Sequence, residues 1–325
     1  MKYTYPKVSN CLTYKRCDID SVTVTDYITD EVYTMDLEEA RYIKKLDGLT
    51  HPYDIETNLS EREIDNLIDE LDNCCLLKES NTITSGGTSL RTVWEPKQTI
   101  LFRLIAFLFN NLLLVSWLPV LVVGIFLFNH NLMAIEFDMA WGGYIIGLVP
   151  GIILHEFGHA FAGAAYGARV FEMGVMRMYY IMPGAYVILD KKSVKNRLKR
   201  VQINAAGVEM NLLLSGLFLI MGALYGNLGG MFLIAAIQNA FLAVMNLTLI
   251  KGLDGMAILS ELLGIEEVAE DASNIIFSRK KKKELRAHGA AGNAAVLACY
   301  MINAFQIALP LLMILNVLEV LLCFV

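Results

Sequence analysis

Four long stretches of the sequence carry no charged residue, and they constrain the fold more than any other feature. They cover residues 104–129, 139–154, 210–250 and 290–318. A helix needs roughly 20 apolar residues to cross a bilayer, and these stretches are of that order or longer. Hydrophobic residues make up 55% of the chain and charged residues 18%, which is too apolar for a typical soluble protein. We therefore expect a mostly helical, polytopic membrane protein.

The distribution of lysine and arginine predicts how this chain crosses the membrane. Residues 129–139 and 226–230 contain neither type, whereas residues 169–200 contain eight and residues 279–286 read RKKKKELR. Cytoplasmic loops are enriched in lysine and arginine. We therefore expect a multi-pass protein of a bacterial-type inner membrane, without a cleaved signal peptide and with a cytosolic N-terminus. The cytosolic segments would be residues 1–100, 169–200 and 251–289.

The number of spans depends on the last uncharged stretch. As one helix, residues 290–325 would be about 54 Å long at 1.5 Å per residue, well beyond a hydrocarbon core of about 30 Å. The segment is therefore either one tilted span with an interfacial start or two shorter passes broken near Pro310. The loop at 226–230 divides the stretch 210–250 into a third and a fourth span. The sequence therefore predicts five spans in the first case and six in the second.

Residues 1–90 differ in character from the rest of the chain. They contain 18 acidic and 9 basic residues, a net charge of −9. Polar and apolar residues alternate over 21–27, which predicts a strand. Helices are predicted at 36–48 and 60–73, the second opened by a capping box of Ser60 and Glu63. We expect a small winged-helix-like α+β domain over residues 1–90, a linker over 91–99 and a transmembrane domain over 100–325.

The motif HEFGH, at residues 155–159, directly follows the second uncharged stretch, and no further charged residue occurs until Arg169. On a helix, His155 and His159 project from one face and share a metal, while Glu156 lies beside its open position. The alternative is two core histidines and a stray glutamate. Ionisable groups are costly in a bilayer, about 2 to 3 kcal/mol each on insertion scales, and they usually serve a site. The motif therefore predicts one Zn²⁺ per chain, with Glu156 acting on water.

A catalytic zinc ion takes three protein ligands, and the segment NLTLIKGLDG at 246–255 supplies the third. Asp254 is expected at the cytosolic end of the fourth span, at a depth compatible with the histidines. HEFGH and this segment together resemble the site-2 protease family of intramembrane zinc metalloproteases. Asn246 and Asp254 match the family's second motif, but Leu249 stands where that motif has a proline. Gly252 could break the helix instead.

The resemblance extends to the third span, where AAGVEMNLLLSG covers residues 205–216. Gly207 and Asn211 match the family's glycine-containing motif, with Val208 where proline is usual. By resemblance, Asn211 helps to hold the substrate carbonyl or its oxyanion. The alternative is that Asn211 only joins two helices by a hydrogen bond.

Residues 170–192 alternate and are expected to turn at Pro183 and Gly184, which predicts a membrane-associated β-hairpin. A free strand edge binds an extended peptide by backbone pairing, and the resembled family has a hairpin or sheet here. We expect Gly184 and Tyr186, together with Asn246, to contact substrate. The alternative is a hairpin that only caps the cytosolic mouth.

The N-terminal domain resembles the precursor-peptide recognition domains of ribosomal peptide maturation systems. A DNA-binding winged helix is the alternative, but a net charge of −9 argues against contact with phosphates. We therefore expect an intramembrane zinc endopeptidase that matures a ribosomally made or membrane-associated peptide. Its partners would be that peptide or a transmembrane substrate, and the lipid bilayer, but no nucleic acid. Release of a membrane-tethered transcription regulator and a non-enzymatic, zinc-containing transporter or scaffold remain as alternatives, and the oligomeric state stays open.

Overall fold

A computed structural model of the chain divides into two compact units. The first contains residues Met1–Gln98 and Arg169–Asp190, and the second contains Thr99–Ala168 and Lys191–Val325. The structure describes residues 5–27, 29–74, 76–78, 83–84, 88–131, 142–178, 182–249, 252–264, 275, 278–287, 289–290 and 292–304.

The first unit begins with a three-stranded antiparallel sheet followed by two helices. The order in the sheet is β1-β2-β3, so that β3 pairs with β2 on one side only. The strand β2 buries alternate residues, as the predicted alternation requires. The elements are β1 (Leu12–Arg16), β2 (Ser21–Asp26), β3 (Val32–Asp36), α1 (Leu37–Ile43) and α2 (Glu61–Asn73).

The two helices pack their apolar faces on this sheet. The capping box of Ser60 and Glu63 is confirmed at the start of α2, where it satisfies backbone N–H groups that have no partner inside the helix. The helix α1 is shorter than the predicted 36–48, because it ends at Ile43 and the chain turns before Gly48, whose φ is +78°. The winged-helix assignment stays a prediction.

A second sheet in the first unit joins the end of the N-terminal region to the hairpin. Its strands are β4 (Ile83–Thr84), β5 (Thr88–Trp94), β6 (Val170–Met178) and β7 (Met182–Leu189), in the order β4-β5-β6-β7. The antiparallel partner of β5 is β6, with Leu90 opposite Met176. Part of the stretch predicted as a linker, 91–99, is therefore a strand.

The predicted hairpin is present, but its predicted turn is wrong. Pro183 and Gly184 lie within β7, paired with Arg177 and Met176, so they are part of the strand and do not form the turn. Proline is tolerated in an edge strand because its missing N–H can face away from the neighbouring strand, and β7 is at the edge of this sheet.

Hydrogen bonds and ion pairs between buried and half-buried side chains connect the hairpin to the rest of the first unit. The hydroxyl of Tyr186 donates to Glu172 at 2.8 Å, and Lys78 lies 3.5 Å from Glu172. Lys78 and Lys7 both pair with Glu95. Burial raises the pKa of Glu95, but the two ammonium groups outweigh it and hold that pKa at about 2.

The second unit is helical. Among the described residues, four helices are long and apolar enough to cross a membrane, and each largely coincides with one of the first four spans that the sequence predicts. The expected fifth or sixth span lies largely at 305–325, outside the described residues. The helices are α3 (Ile100–His130), α4 (Gly142–Ala165), α5 (Arg197–Leu224), α6 (Gly229–Asn246), α7 (Asp254–Leu263) and α8 (Arg279–Arg286).

Small residues let α4 approach its neighbours closely. A Cβ at Gly147 would lie 2.7 Å from Ala235 Cα on α6, and one at Gly158 would lie 2.6 Å from the Ala206 carbonyl oxygen on α5. Small interface residues are the usual means by which membrane helices pack backbone to backbone. The consequence is that α4 presents its histidines directly to α5.

Candidate metal centre

The two histidines of HEFGH lie one helical turn apart on α4 and share a face. His155 and His159 are 6% and 5% exposed, and their Nε2 atoms are 3.1 Å apart. This is the arrangement that the spacing of four residues predicts on a helix.

Asp254 reaches the same point from another helix. Its Oδ2 lies 3.0 Å from His155 Nε2 and 3.2 Å from His159 Nε2. Asp254 is the first residue of α7 and lies beyond the fourth span, which ends at Asn246. The expected position at the end of that span is therefore wrong in detail. The helix α6 ends at Asn246 and α7 begins at Asp254, and Gly252 just before α7 has a φ of +93°, so a glycine lies near the break that proline makes in the resembled motif.

A backbone carbonyl fixes the protonation of one imidazole. The Ile203 carbonyl oxygen lies 2.7 Å from His159 Nδ1, and since a carbonyl only accepts, Nδ1 must carry the hydrogen. In the neutral ring, Nε2 then has a free lone pair directed at Asp254. Metal-ligating histidines usually donate their second nitrogen in this way.

These three residues fit a zinc ion. Three potential ligand atoms, two of Nε2 and one of Oδ2, converge in a buried place, where either protons on the imidazoles or a metal cation between the atoms would balance the carboxylate charge. Zinc bonds of ~2.0–2.2 Å hold tetrahedral ligand atoms roughly 3.3–3.5 Å apart, only slightly more than the distances found here. Two histidines and a carboxylate are also a ligand set that catalytic zinc sites use.

The carboxylate is held in its charged form. Burial raises the pKa of Asp254, but His159 and His155, as protonated imidazoles that donate to it, outweigh burial and keep that pKa below its ordinary value. A metal cation in place of those protons would hold the carboxylate ionised in the same way. An ionised carboxylate is the form that binds a metal.

Gly207 leaves a gap in the surface of α5 beside the two histidines. A Cβ at Gly207 on α5 would lie 2.4 Å from His159 Nε2 and 2.6 Å from His155 Nε2. Only glycine leaves room for both imidazoles at this position, which gives a steric reason for the glycine in AAGVEMN.

Asn211 lies one turn further along α5 and is completely buried. Neither its Oδ1 nor its Nδ2 has a hydrogen-bond partner among the residues that the structure describes. A buried amide without hydrogen-bond partners is costly. The alternative, in which Asn211 joins two helices by a hydrogen bond, is not supported by any contact among the described residues. Its role toward substrate stays a prediction.

The other predicted site residues lie in different settings. Glu156 is half-buried on α4 beside the ligands. The side chain of Asn246 donates to the Leu242 carbonyl of its own helix at 3.0 Å. Gly184 and Tyr186 lie in β7 of the first unit, where the Tyr186 hydroxyl is engaged by Glu172. The structure does not join these last three to the metal ligands, and their contact with substrate stays a prediction.

Sequence reasoning missed two groups near the metal ligands. The Ile203 carbonyl carries no side-chain signal that a motif could record. Lys191 was assigned only to the positive charge that sets topology, yet its Nζ donates to Asn204 Oδ1 at 2.6 Å. A lysine that follows a strand in a basic segment gives no hint of such a buried partner.

Comparison with known proteins identifies a family for part of the chain. Residues 143–228 match the family model of peptidase family M50, the family of the site-2 proteases. The match contains both histidines, Glu156 and Asn211 and ends before Asp254. No curated protein and no solved structure matches the chain. The resemblance is therefore confirmed over 143–228, and together with the four apolar helices it indicates a membrane metalloprotease.

Proposed function

We propose that this protein is an intramembrane zinc endopeptidase of a bacterial-type inner membrane, with one zinc ion per chain. One observation carries the proposal: His155, His159 and Asp254 bring three ligand atoms within 3.2 Å of each other. The two histidines lie in an apolar helix long enough to cross a bilayer. Zinc in such a place supplies Lewis acidity and makes water a nucleophile near neutral pH.

Two residues near the ligands have different roles in the proposed reaction. Glu156 takes a proton from the attacking water and passes it to the leaving amine. Asn211 donates its amide N–H to the negative charge that develops on the scissile carbonyl oxygen. Its unpartnered, buried amide supports this role, because a substrate carbonyl would supply the missing hydrogen bond.

The substrate that we propose is a ribosomally made precursor peptide, bound by its leader to the first unit. The outer edge of β3, which has no strand partner among the described residues, supports this choice, since an extended leader can add to it by backbone pairing. The net charge of −9 over residues 1–90 favours a leader that carries lysine or arginine. Cleavage of a membrane-tethered transcription regulator is the alternative within the same chemistry.

The decisive test is Glu156→Gln in the full-length protein, purified in detergent. The probes are fluorescently labelled precursor peptides and single-span membrane segments, with bound zinc measured by elemental analysis. The amide cannot accept a proton, so we expect cleavage to fall at least about 1,000-fold while zinc stays bound.

Glu209→Gln is the matched control, because Glu209 also lies in a spanning helix, where it accepts from Gln202 at 2.7 Å. Its cleavage rate should stay within about twofold of wild type, as for a group that does not take part in the reaction. A Glu156→Gln protein that cleaves normally, or a wild-type protein that holds no zinc, would exclude the proposed function. A wild-type protein that binds zinc but cleaves no probe would favour a zinc-containing transporter or scaffold.

A further inference from the structure

Lys191 is a cation beside the part of α5 that contacts the metal ligands. It lies in a short 3₁₀ turn, Lys191–Ser193, just before α5 and outside the four spans. Its Nζ donates to Oδ1 of Asn204, which is 1% exposed. Asn204 adjoins Ile203, whose carbonyl holds His159, and precedes Gly207 by one turn. The ammonium group is therefore anchored on the same face of α5 that contacts both histidines.

The charges that act on Lys191 are those of the proposed active site. Asp254 and Glu156 are its two strongest electrostatic partners, followed by Glu261. Burial lowers the pKa of Lys191 from its ordinary value, and these carboxylates oppose that change by favouring the ammonium form.

We infer that the Lys191 ammonium is the counter-charge of the metal site. It competes with zinc for Asp254 and Glu156, and it leaves the zinc-loaded site with a net positive charge. The inference rests on the proposed function. It makes Lys191 a positioning residue that acts through the site's field rather than by touching the scissile bond.

The charge balance explains why such a residue is useful. With neutral imidazoles, Asp254, Glu156 and the ammonium together carry one negative charge, and Zn²⁺ converts this to one positive charge. Without Lys191 the loaded site would be neutral. Since peptide hydrolysis develops negative charge on the carbonyl oxygen, a net positive site stabilises the transition state more than the substrate.

This inference predicts opposite effects on zinc binding and on turnover. Lys191→Met removes a positive charge near the metal, so Zn²⁺ should bind roughly three- to tenfold more tightly, measured by competition with a chelator of known affinity. The kcat of the zinc-loaded variant, on the probe that the wild-type protein cuts, should fall about tenfold with little change in KM. A residue that only supports the fold would weaken both zinc binding and turnover when it is replaced.

Three further variants separate charge from packing. Lys191→Arg keeps the charge and should restore zinc affinity and kcat to within about threefold of wild type. Lys191→Gln keeps a donor for Asn204 but no charge, and should behave like Lys191→Met even if the methionine variant folds poorly. Lys192→Met removes the neighbouring, exposed ammonium and should change neither quantity by more than about twofold.

The inference is overturned if Lys191→Met or Lys191→Gln binds zinc as wild type does or more weakly, or keeps wild-type turnover when loaded. Failure of the proposed function is a different result: the wild-type protein then cleaves no probe, or Glu156→Gln cleaves normally. In that case, the zinc affinities of the Lys191 variants still test whether Lys191 is the counter-charge of the metal site.

Discussion

Gly207 determines how closely α5 can approach the metal ligands. An added Cβ would come within 2.4 Å of His159 Nε2, a separation that neither an imidazole nor the helix backbone tolerates. His159 cannot simply rotate away, because its Nδ1 is held by the Ile203 carbonyl on the same helix. The ligand geometry and the hydrogen on the imidazole are therefore both set by one turn of α5.

Replacing this glycine should damage the metal site before it damages the fold. We expect Gly207→Ala to weaken zinc binding about 10- to 100-fold, as changes beside metal ligands do, with a matching loss of cleavage. Chelator competition on the purified protein measures the first effect. Gly142→Ala is the control, since its Cβ would meet only the flexible Met231 side chain, at 3.2 Å from its Sδ. Wild-type zinc affinity in Gly207→Ala would contradict the ligand arrangement.

The same residues show what a sequence can and cannot reveal. His155, Glu156 and His159 could be predicted because the helical period alone fixes their relation. Asp254 lies about 100 positions away, and only resemblance to a known family joined it to the histidines. Lys191 could not be found, because its importance depends on a buried amide and on carboxylates from other elements.

The helix α7 carries the proposed metal ligand Asp254 at its N-terminus, and two arginines of α5 bind its C-terminal end. Arg200 Nε donates to both carboxylate oxygens of Glu261 at 2.9 Å, and Arg197 donates to the backbone carbonyls of Glu261 and Leu262. Cations near the C-terminus of a helix are favoured by its dipole. These contacts fix the direction in which α7 presents Asp254.

Charge reversal tests whether this grip positions the ligand. Arg200→Glu sets two carboxylates against each other and should destabilise the protein by about 1–2 kcal/mol, between the values for exposed and buried pairs. Zinc affinity should fall as α7 shifts. The double variant Arg200→Glu with Glu261→Arg should recover part of both losses, measured by thermal melting and chelator competition.

Lys280→Glu provides the comparison, because Lys280 and Glu284 form a highly exposed pair 3.9 Å apart. This change should leave zinc affinity unaltered. If Arg200→Glu binds zinc as tightly as the wild type, the ion pair has no role in placing Asp254.

Elements formed by local pattern could be predicted, and those formed by distant pairing could not. The capping box at Ser60 and the four long apolar helices follow from nearby residues. The strand β5 stabilises itself on β6, about 80 positions away, and no local signal records that choice of partner. The misplaced hairpin turn has a related cause: Pro183 and Gly184 favour a turn locally, whereas pairing with β6 holds them in a strand.

The division of the chain into two units does not follow its order in sequence. The hairpin belongs to the first unit together with residues 1–98, and Tyr27 contacts Phe171 with ring centroids 5.4 Å apart. Deleting residues 1–90 would remove both β4 and part of β5 along with the front sheet. Such a deletion would therefore disturb the hairpin as well as any leader binding. A test of leader binding must leave the strands β4 and β5 in place.

Competition by a detached leader avoids that difficulty. If the leader adds to β3, excess leader peptide should raise the apparent KM for the full precursor several-fold without changing kcat, because the two compete for one edge. Val32→Arg, at an exposed position of β3, should raise the same KM. Ile19→Arg, exposed in the turn before β2, should have no effect. A leader that leaves cleavage of the precursor unchanged at saturation would rule out leader recognition.

The strand pairing of β5 with β6 also has a consequence for biogenesis. Synthesis proceeds from the N-terminus, and domains generally form as the chain emerges. Here β5 can pair only with the two-residue strand β4 until α3 and α4, the first two spans, have been translated and β6 follows. The N-terminal unit must therefore wait, incomplete, while the ribosome delivers two hydrophobic segments to the insertion machinery. The other edge of β5 is exposed during that interval to chaperones and to aggregation.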